Sequence, residues 1–300
     1  MIEYIFNILK GALMGAANVI PGVSGGTMAL LTGIFEKLID AIKSFDLKAI
    51  KLGCTFKFKE LFEHVDIKFL SAIGIGVVAS ILTFARVLEY LFENHPLYIW
   101  SFFFGLILAS VYFVGKSIQK KGLSSIAFFV VGTAIAVAIA FLEPAQENRN
   151  FLYLMVCGAV AMCSMILPGL SGSFVLLLMG NYELVMIHAV KSFDFGVLIP
   201  VGIGAVAGLL AFARLLSWVF KKFNDQTIAL LTGFIFGSLA ILWPWKSEIT
   251  EAFGEKIKVV GYDYALPELS AETGIALAIM LAGIIIIALV ETTAIRLKTD

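Results

Sequence analysis

Two copies of a polar, helix-breaking motif interrupt apolar sequence in this chain. Residues 21–27 read PGVSGGT and lie between the apolar runs 11–20 and 28–35, and residues 168–173 read PGLSGS in a similar setting. Proline stops a helix, and glycine allows close backbone approach and open φ values. We therefore predict that each motif is the tip of a helical hairpin. We call residues 21–27 the first tip and residues 168–173 the second tip.

Composition places these hairpins in a membrane. Of the 300 residues, 60% are hydrophobic and only 15% are charged, which is far from the usage of a soluble domain. Several apolar stretches approach the roughly 20 residues that cross a bilayer. The net charge of zero suggests no nucleic-acid partner, and the three cysteines have no metal-ligand spacing. We expect an all-α polytopic membrane protein without a cofactor or metal.

An internal duplication organises the chain. Residues 20–36 match residues 167–183 at 8 of 17 positions, and residues 73–88 match 201–216 at 10 of 16 positions. Such self-similarity indicates a repeated structural unit. We predict a first repeat at residues 1–145 and a second at 146–300, within one integral membrane domain.

Each repeat is predicted to hold one hairpin and three transmembrane helices. The helices are expected at about residues 67–91, 97–114 and 124–142, and at 195–220, 227–243 and 273–290. Because three crossings are an odd number, the second repeat enters the membrane from the opposite side, which makes the repeat inverted. The second hairpin arm has only about ten apolar residues, which favours a re-entrant hairpin over a full crossing. A fully crossing hairpin leaves the topology unchanged and stays open as an alternative.

Basic residues indicate the orientation. With the N-terminus in the cytoplasm, fifteen Lys and Arg residues fall in cytoplasmic segments and five in outer segments. This bias predicts that both termini are cytoplasmic. Residues 46–66 have no counterpart in the second repeat and alternate apolar with charged residues. We predict an amphipathic segment on the cytoplasmic leaflet, with a solvated loop as the alternative.

Two arginines occupy equivalent positions within predicted helices. Arg86 and Arg214 both follow the dipeptide Phe-Ala. Arginine inside the membrane is costly and usually lines a polar path, and its planar guanidinium suits phosphate. Inverted symmetry would place Arg86 toward the outer face and Arg214 toward the inner face. The alternative is that each arginine snorkels to an interface, or that Arg86 pairs with Glu89.

The tips themselves are candidate anion sites. Unpaired amides at a helix start, together with the helix dipole, favour an anion, and the serines add hydroxyl donors. The alternative is that the glycines only permit close helix packing. The predicted phosphate-binding residues of the tips are Ser24, Gly25, Gly26, Thr27, Ser171, Gly172 and Ser173.

Two carboxylates also share a repeat position. Glu36 and Glu183 follow the second arms of the hairpins and could carry a proton near a cavity of low dielectric constant. Salt bridges to Lys37 or Lys191, or ordinary charges at helix ends, are the alternatives. Asn18 precedes the first tip and is matched by Met165 in the second repeat, so any role of Asn18 would belong to one half only.

No catalytic residues are predicted. The run GVSGG at residues 22–26 fits a nucleophile-elbow pattern, but that pattern needs a strand before the serine and a histidine base. The flanks here are apolar helices, and Ser173 breaks the pattern in the second copy. We therefore expect a transporter rather than an enzyme.

The first hairpin resembles a known family. The sequence NVIPGVSGGT at residues 18–27, followed by LTGIFE at residues 31–36, is similar to the bacterial PopT family of polyprenyl-phosphate translocases. The resemblance covers essentially the whole chain. It implies that the lipid carrier of peptidoglycan synthesis, undecaprenyl phosphate, is recycled from the outer to the inner leaflet of the cytoplasmic membrane. The second tip is more diverged, with Ser173 in place of Gly26.

Three functions are compatible with these features. The first is translocation of a polyprenyl phosphate, with its phosphate held between two opposed tips and the repeats rocking to give alternating access. The second is a carrier or channel for a small anion, and the last is an intramembrane lipid-phosphate enzyme.

Overall fold

Helices make up most of the computed structural model, which describes residues 2–19, 24–120, 122–142, 144–253 and 256–299. The helices of the first half are α1 (Ile2–Val19), α2 (Gly25–Leu31), α3 (Phe35–Lys43), α4 (Leu47–Cys54), α5 (Phe58–His64), α6 (Ile67–Asn94), α7 (Pro96–Lys116) and α8 (Leu123–Ala140). The elements of the second half are α9 (Phe151–Ile166), α10 (Gly172–Leu178), a π-helix (Leu184–Ala189), α11 (Val190–Ser192), α12 (Phe195–Lys222), α13 (Asn224–Leu242), β1 (Lys246–Phe253), β2 (Lys256–Tyr264) and α14 (Ala271–Thr299).

Five described helices are long and apolar enough to cross a membrane. They are α7, α8, α12, α13 and the part of α14 at residues 271–289. The pair α5 and α6, bent by 68°, gives a sixth candidate if it is counted as one span. These helices agree with the six predicted from the sequence to within a few residues, apart from the longer end of α14. The prediction of a helical protein with several membrane spans is thus confirmed.

The two hairpins share the same broken-helix geometry. After each tip comes a helix of seven residues, α2 or α10. Each short helix ends with a glycine in the left-handed region, Gly33 at φ 69° and Gly180 at φ 72°. The amides of Ile34 and Asn181 then reach back five residues, to the carbonyls of residues 29 and 176. This is the Schellman arrangement, and it stops both helices at the same repeat position.

The chain forms two compact units, each drawn from both halves of the sequence. Unit 1 contains residues 1–86 and 145–227, and unit 2 contains residues 87–144 and 228–300. In unit 1, α1 packs on α6 and α9 packs on α12 at matching glycines. A Cβ on Gly76 would overlap the carbonyl oxygen of Ile8, and a Cβ on Gly204 would overlap that of Met155. Glycine allows these backbones to approach closely, as is common between membrane helices.

Helices of unit 2 pair across the two halves of the sequence. Helix α7 packs on α14, where a Cβ on Gly105 would overlap the carbonyl oxygen of Met280. Helix α13 packs on α8, where a Cβ on Gly233 would overlap the carbonyl oxygen of Phe129. Gly105 and Gly233 are equivalent in the sequence repeat. Each of these close contacts therefore joins a helix of the first half to a helix of the second.

A β-hairpin follows α13, between the helices predicted at residues 227–243 and 273–290. Strands β1 and β2 pair antiparallel, with a bulge between Ile249 and Thr250. The ammonium of Lys246 lies 4.0 Å from the ring centre of Trp100 and 4.1 Å from that of Tyr262. These cation–π contacts tie the hairpin to the start of α7.

The insertion at residues 46–66 forms the short helices α4 and α5. Apolar side chains such as Leu47 and Phe56 are exposed on it, which suits an interfacial segment. Asp46 caps α4 by accepting from the amide of Ala49 at 3.0 Å, and it lies 3.1 Å from His64 Nε2. The Ala49 amide, and then the His64 side chain, lower the pKa of this carboxyl. The segment is helical, and its interfacial place on the cytoplasmic leaflet stays a prediction.

Candidate functional site

The start of the first short helix is closed by internal hydrogen bonds. Gly25 N donates to Asn18 Oδ1 at 2.7 Å, Gly26 N to Ser24 Oγ at 3.1 Å, and Thr27 N to the Ser24 carbonyl at 2.9 Å. Ser24 is thereby the N-cap of α2. The expectation of free amides at residues 25–27 is wrong for this arrangement, because Asn18 reaches over from α1 and Ser24 turns inward. Residues 21–23 of the first tip lie outside the described residues.

The start of the second short helix is more open. Met165 takes the place of Asn18 and packs its side chain over Gly172. A thioether is a poor acceptor, and within the described chain no acceptor is found for the amides of Gly172 and Ser173. The hydroxyls of Ser171 and Ser173 lie 2.8 Å apart, and Ser173 is exposed. Two amides without an acceptor and two hydroxyls thus lie together in the described part of the second tip, where Gly172 is buried and Ser173 is exposed.

The two tips contact each other. Ser24 Oγ donates to the carbonyl of Met165 at 3.2 Å, and Gly169 N donates to Thr27 Oγ1 at 3.0 Å. Ser24 and Thr27 are almost completely buried, at 2% and 0% exposure. Partners more than 140 positions apart in sequence are therefore joined in a buried polar junction. The sequence predicted two opposed tips with a phosphate between them, and it did not predict direct hydrogen bonds between the tips.

Replacement of Thr27 by valine tests this junction. Valine keeps the shape but removes the acceptor of Gly169 N, so we expect a loss of about 1–3 kcal/mol in unfolding free energy. The measurement is thermal unfolding of the purified protein in detergent. Thr227→Val is the matched control, because Thr227 is also buried but its hydroxyl bonds only the Phe223 carbonyl of the preceding turn. Equal effects of both substitutions would contradict a special role for Thr27.

Arg214 lies away from the tips in this arrangement. Its side chain is exposed, with Nη1 donating to the Leu210 carbonyl at 3.0 Å and Nη2 to the Phe45 carbonyl at 3.5 Å. Phe45 follows α3, so the arginine is at the far end of the first hairpin. Arg86 is on α6, and its side chain lies outside the described part of the structure.

Glu36 is exposed near the beginning of α3. It accepts from Asn224 Nδ2 at 3.5 Å, a contact at the limit of hydrogen bonding. Lys37 instead lies 3.6 Å from Glu3 and 3.5 Å from Asp66, so it is already paired with other carboxylates. The alternative of a Glu36–Lys37 salt bridge is not found among the described ion pairs.

Glu183 has a different setting. It is half-buried and directly precedes the π-helix at Leu184–Ala189, a helix type that is rare and often found at functional sites. Nearby, the fully buried Asn181 fixes the segment before α9. Its Nδ2 donates to the Asn148 carbonyl and its Oδ1 accepts from Asn148 N, both at 2.8 Å.

A polar cluster that the sequence did not reveal joins α3 to α12. The buried Ser217 donates to Asp40 Oδ1 at 2.9 Å and lies 3.2 Å from Lys43 Nζ. Lys221 Nζ lies 3.8 Å from the same Asp40 oxygen. The only signal in the sequence was the spacing of Asp40 and Lys43 by one helical turn. The cluster couples the first hairpin to the long helix that carries Arg214.

Broken helices that meet within a set of apolar helices are an arrangement of secondary membrane transporters, which bind their substrates at such breaks. The sequence comparisons agree with this class. The chain belongs to the undecaprenyl phosphate translocase-like family, since the VCA0040-like family model matches residues 14–259. It is therefore a multi-pass membrane protein of a transporter family.

Two relatives carry the same description. A polyprenyl-phosphate transporter of Vibrio cholerae is 37% identical over 294 residues, which cover 95% of each chain. A polyprenyl-phosphate transporter of Staphylococcus aureus is 31% identical over 255 residues, covering 79% of this chain and 86% of the relative. No solved structure matches this chain significantly. The resemblance noted at the first hairpin is thus confirmed along most of the sequence.

Proposed function

We propose that this protein translocates polyprenyl phosphate across the bacterial cytoplasmic membrane. Undecaprenyl phosphate would return from the outer to the inner leaflet, where it serves envelope synthesis again. The observation that carries the proposal is the contact between two broken-helix starts. At the second of them, two amides have no acceptor among the described residues, and two hydroxyls bond to each other. Family membership and two relatives described as polyprenyl-phosphate transporters support the substrate.

The phosphate is bound at the tips in this proposal. The second tip offers the amides of Gly172 and Ser173 and the hydroxyls of Ser171 and Ser173, all of which suit an anion. The first tip would contribute Ser24, Gly25, Gly26 and Thr27 once its internal bonds are exchanged for bonds to phosphate. Asn18 then acts as an internal substitute for the anion at Gly25 N.

The second part of the proposal is that the two halves of the chain form an inverted repeat, which makes alternating access possible. Both short helices span only about 10 Å, too little to cross a hydrocarbon core of about 30 Å, which favours re-entrant hairpins. Equal Schellman ends and the matching glycine contacts in each unit support a two-fold relation between residues 1–145 and 146–300. Two inverted halves can expose one site to either leaflet in turn.

Charged residues would guide the phosphate to and from the tips. Arg86 would receive it on the outer side and Arg214 on the inner side, with both termini in the cytoplasm. Arg214 donates to two carbonyl oxygens, which an anionic phosphate would replace as a stronger partner. Glu36 and Glu183 would couple proton movement to the cycle.

Single substitutions Arg86→Ala and Arg214→Ala test this path. We expect each to lower translocation of undecaprenyl phosphate in proteoliposomes by about tenfold or more, which corresponds to one charge-assisted hydrogen bond. Lys59→Ala, an exposed cation on α5, is the control and is expected to retain the rate of the unmodified protein.

Wild-type rates in both arginine variants would contradict the proposed path. Competition with inorganic phosphate distinguishes a lipid substrate from a small-anion substrate. If soluble phosphate competes as well as the lipid does, the protein is an anion carrier instead.

A further inference from the structure

An apolar groove runs along unit 2 between α7, α8 and α13. It consists of two chambers of about 630 Å³ each. One lies between the end of α7 and the start of α8, and the other lies toward Trp243 and the β-hairpin. The rings of Phe129 and Phe236, one from each chamber, lie 5.6 Å apart, so the chambers adjoin.

Two hydroxyl groups in the walls of the chamber at the end of α7 are bonded within the protein. Ser125 Oγ donates to the Lys120 carbonyl at 2.8 Å, and Thr232 Oγ1 donates to the Ile228 carbonyl at 2.6 Å. Since both hydroxyls are satisfied within the protein, the chamber suits an apolar chain. Its volume lies in the range of about 300–1,000 Å³ that is usual for small-molecule sites.

A lysine and the positive end of a helix lie at the same chamber. Lys116 is the one charged residue among the described residues that line it, and its side chain is exposed. Helix α8 starts here as well, and its N-cap, Gly122, has no side chain to cap the first amides. The positive end of an 18-residue helix and a lysine thus lie beside an apolar cavity. A ligand that complements them has a long apolar chain and one anionic head.

We infer that this groove is a docking site for the polyprenyl phosphate itself, with the isoprenoid chain in the chambers and the phosphate beside Lys116. The site is separate from the tips and would hold the lipid before or after translocation. The inference rests on the proposed function for the identity of the lipid. An ordinary two-chain phospholipid of the membrane is the competing occupant, and the experiment decides between them.

Gly115→Leu fills the groove without disturbing the backbone. A Cβ on Gly115 would meet only Thr232 Cγ2, at an ordinary 3.6 Å. Binding of farnesyl phosphate and undecaprenyl phosphate is compared on the full chain in phosphatidylcholine nanodiscs. Because each buried methylene adds to binding, we expect the longer lipid to bind more tightly, and Gly115→Leu to reduce that preference by about fivefold or more. Gly115→Ala, the matched control, is expected to change it by less than about twofold.

Lys116→Gln tests the head of the site. We expect the preference for undecaprenyl phosphate over undecaprenol to fall by about fivefold, and Lys116→Arg to preserve it, because arginine keeps the charge. Lys48→Gln, an exposed lysine on α4, is the control.

Two results would overturn the inference. One is an unchanged chain-length preference in Gly115→Leu. The other concerns phosphatidylglycerol, a two-chain phospholipid whose binding is measured in the same way. If Gly115→Leu weakens the binding of phosphatidylglycerol and of undecaprenyl phosphate equally, the groove is an ordinary phospholipid site.

Different results would contradict the proposed function and the proposed docking site. If the unmodified protein moves no lipid in proteoliposomes yet keeps a chain-length preference that Gly115→Leu abolishes, the docking site stands and the translocase does not. If substitutions at the tips stop translocation while Gly115→Leu leaves the preference unchanged, the translocase stands and the docking site does not.

Discussion

Gly26→Ala is expected to reduce translocation by about tenfold or more. A Cβ at this position would overlap the carbonyl oxygen of Ile166 at the end of α9. The added Cβ is fixed to the backbone of α2, and the atoms it meets belong to the backbone of Ile166. No side-chain rotation can therefore relieve the overlap. The alanine would push the two tips apart and break the junction between Thr27 and Gly169.

Translocation in proteoliposomes and thermal unfolding in detergent should be measured on the same preparations. Gly202→Ala is the matched control, since a Cβ there meets nothing within 4 Å. The control is expected to keep the transport rate and the unfolding temperature of the unmodified protein. Normal transport by Gly26→Ala would mean that contact between the tips is not needed for function.

The second large effect that we expect is a loss of lipid affinity when the hydroxyls at the second tip are removed. The double substitution Ser171→Ala and Ser173→Ala deletes two donors that have no backbone partner, only each other. A hydrogen bond to a charged group contributes about 1.5–3 kcal/mol. Affinity for undecaprenyl phosphate should therefore fall by about tenfold or more, while the unfolding temperature changes little. Ser192→Ala, an exposed serine bonded only to the His188 carbonyl, is the control.

Met165→Asn tests the same tip without deleting a donor. Asparagine at this position can accept from Gly172 N, as Asn18 accepts from Gly25 N in the first repeat. The second tip would then be closed by its own side chain, so we expect weaker binding of the phosphate lipid. If both this variant and the double serine variant bind undecaprenyl phosphate normally, the phosphate site is not at the second tip.

The sequence was a good guide to the helices and to the tips. Runs of apolar residues fix where a membrane helix can form, and the shared Pro-Gly pairs fix where it must break. Gly33 and Gly180 were matched by sequence alone, and both adopt the positive φ that ends a short helix. These backbone conformations depend on a few neighbouring residues and can therefore be predicted from a single sequence.

Contacts between distant side chains could not be predicted in the same way. Asn18 was noted only as a difference between the repeats, because nothing in the sequence shows that its side chain reaches Gly25 N. Ser217 lies between the apolar residues Leu216 and Trp218, and its partner Asp40 comes from another helix. The β-hairpin at β1 and β2 was missed because its many charged residues are typical of a loop.

The pairing of α7 with α14, and of α13 with α8, has a consequence for biogenesis. Helix α7 leaves the ribosome long before its partner α14, which follows α13 and the β-hairpin in the chain. Until then the surface of α7 around Gly105 must be covered by lipid or by an insertion chaperone. Separately synthesised halves should consequently be unstable alone and recover only when both are produced in one cell.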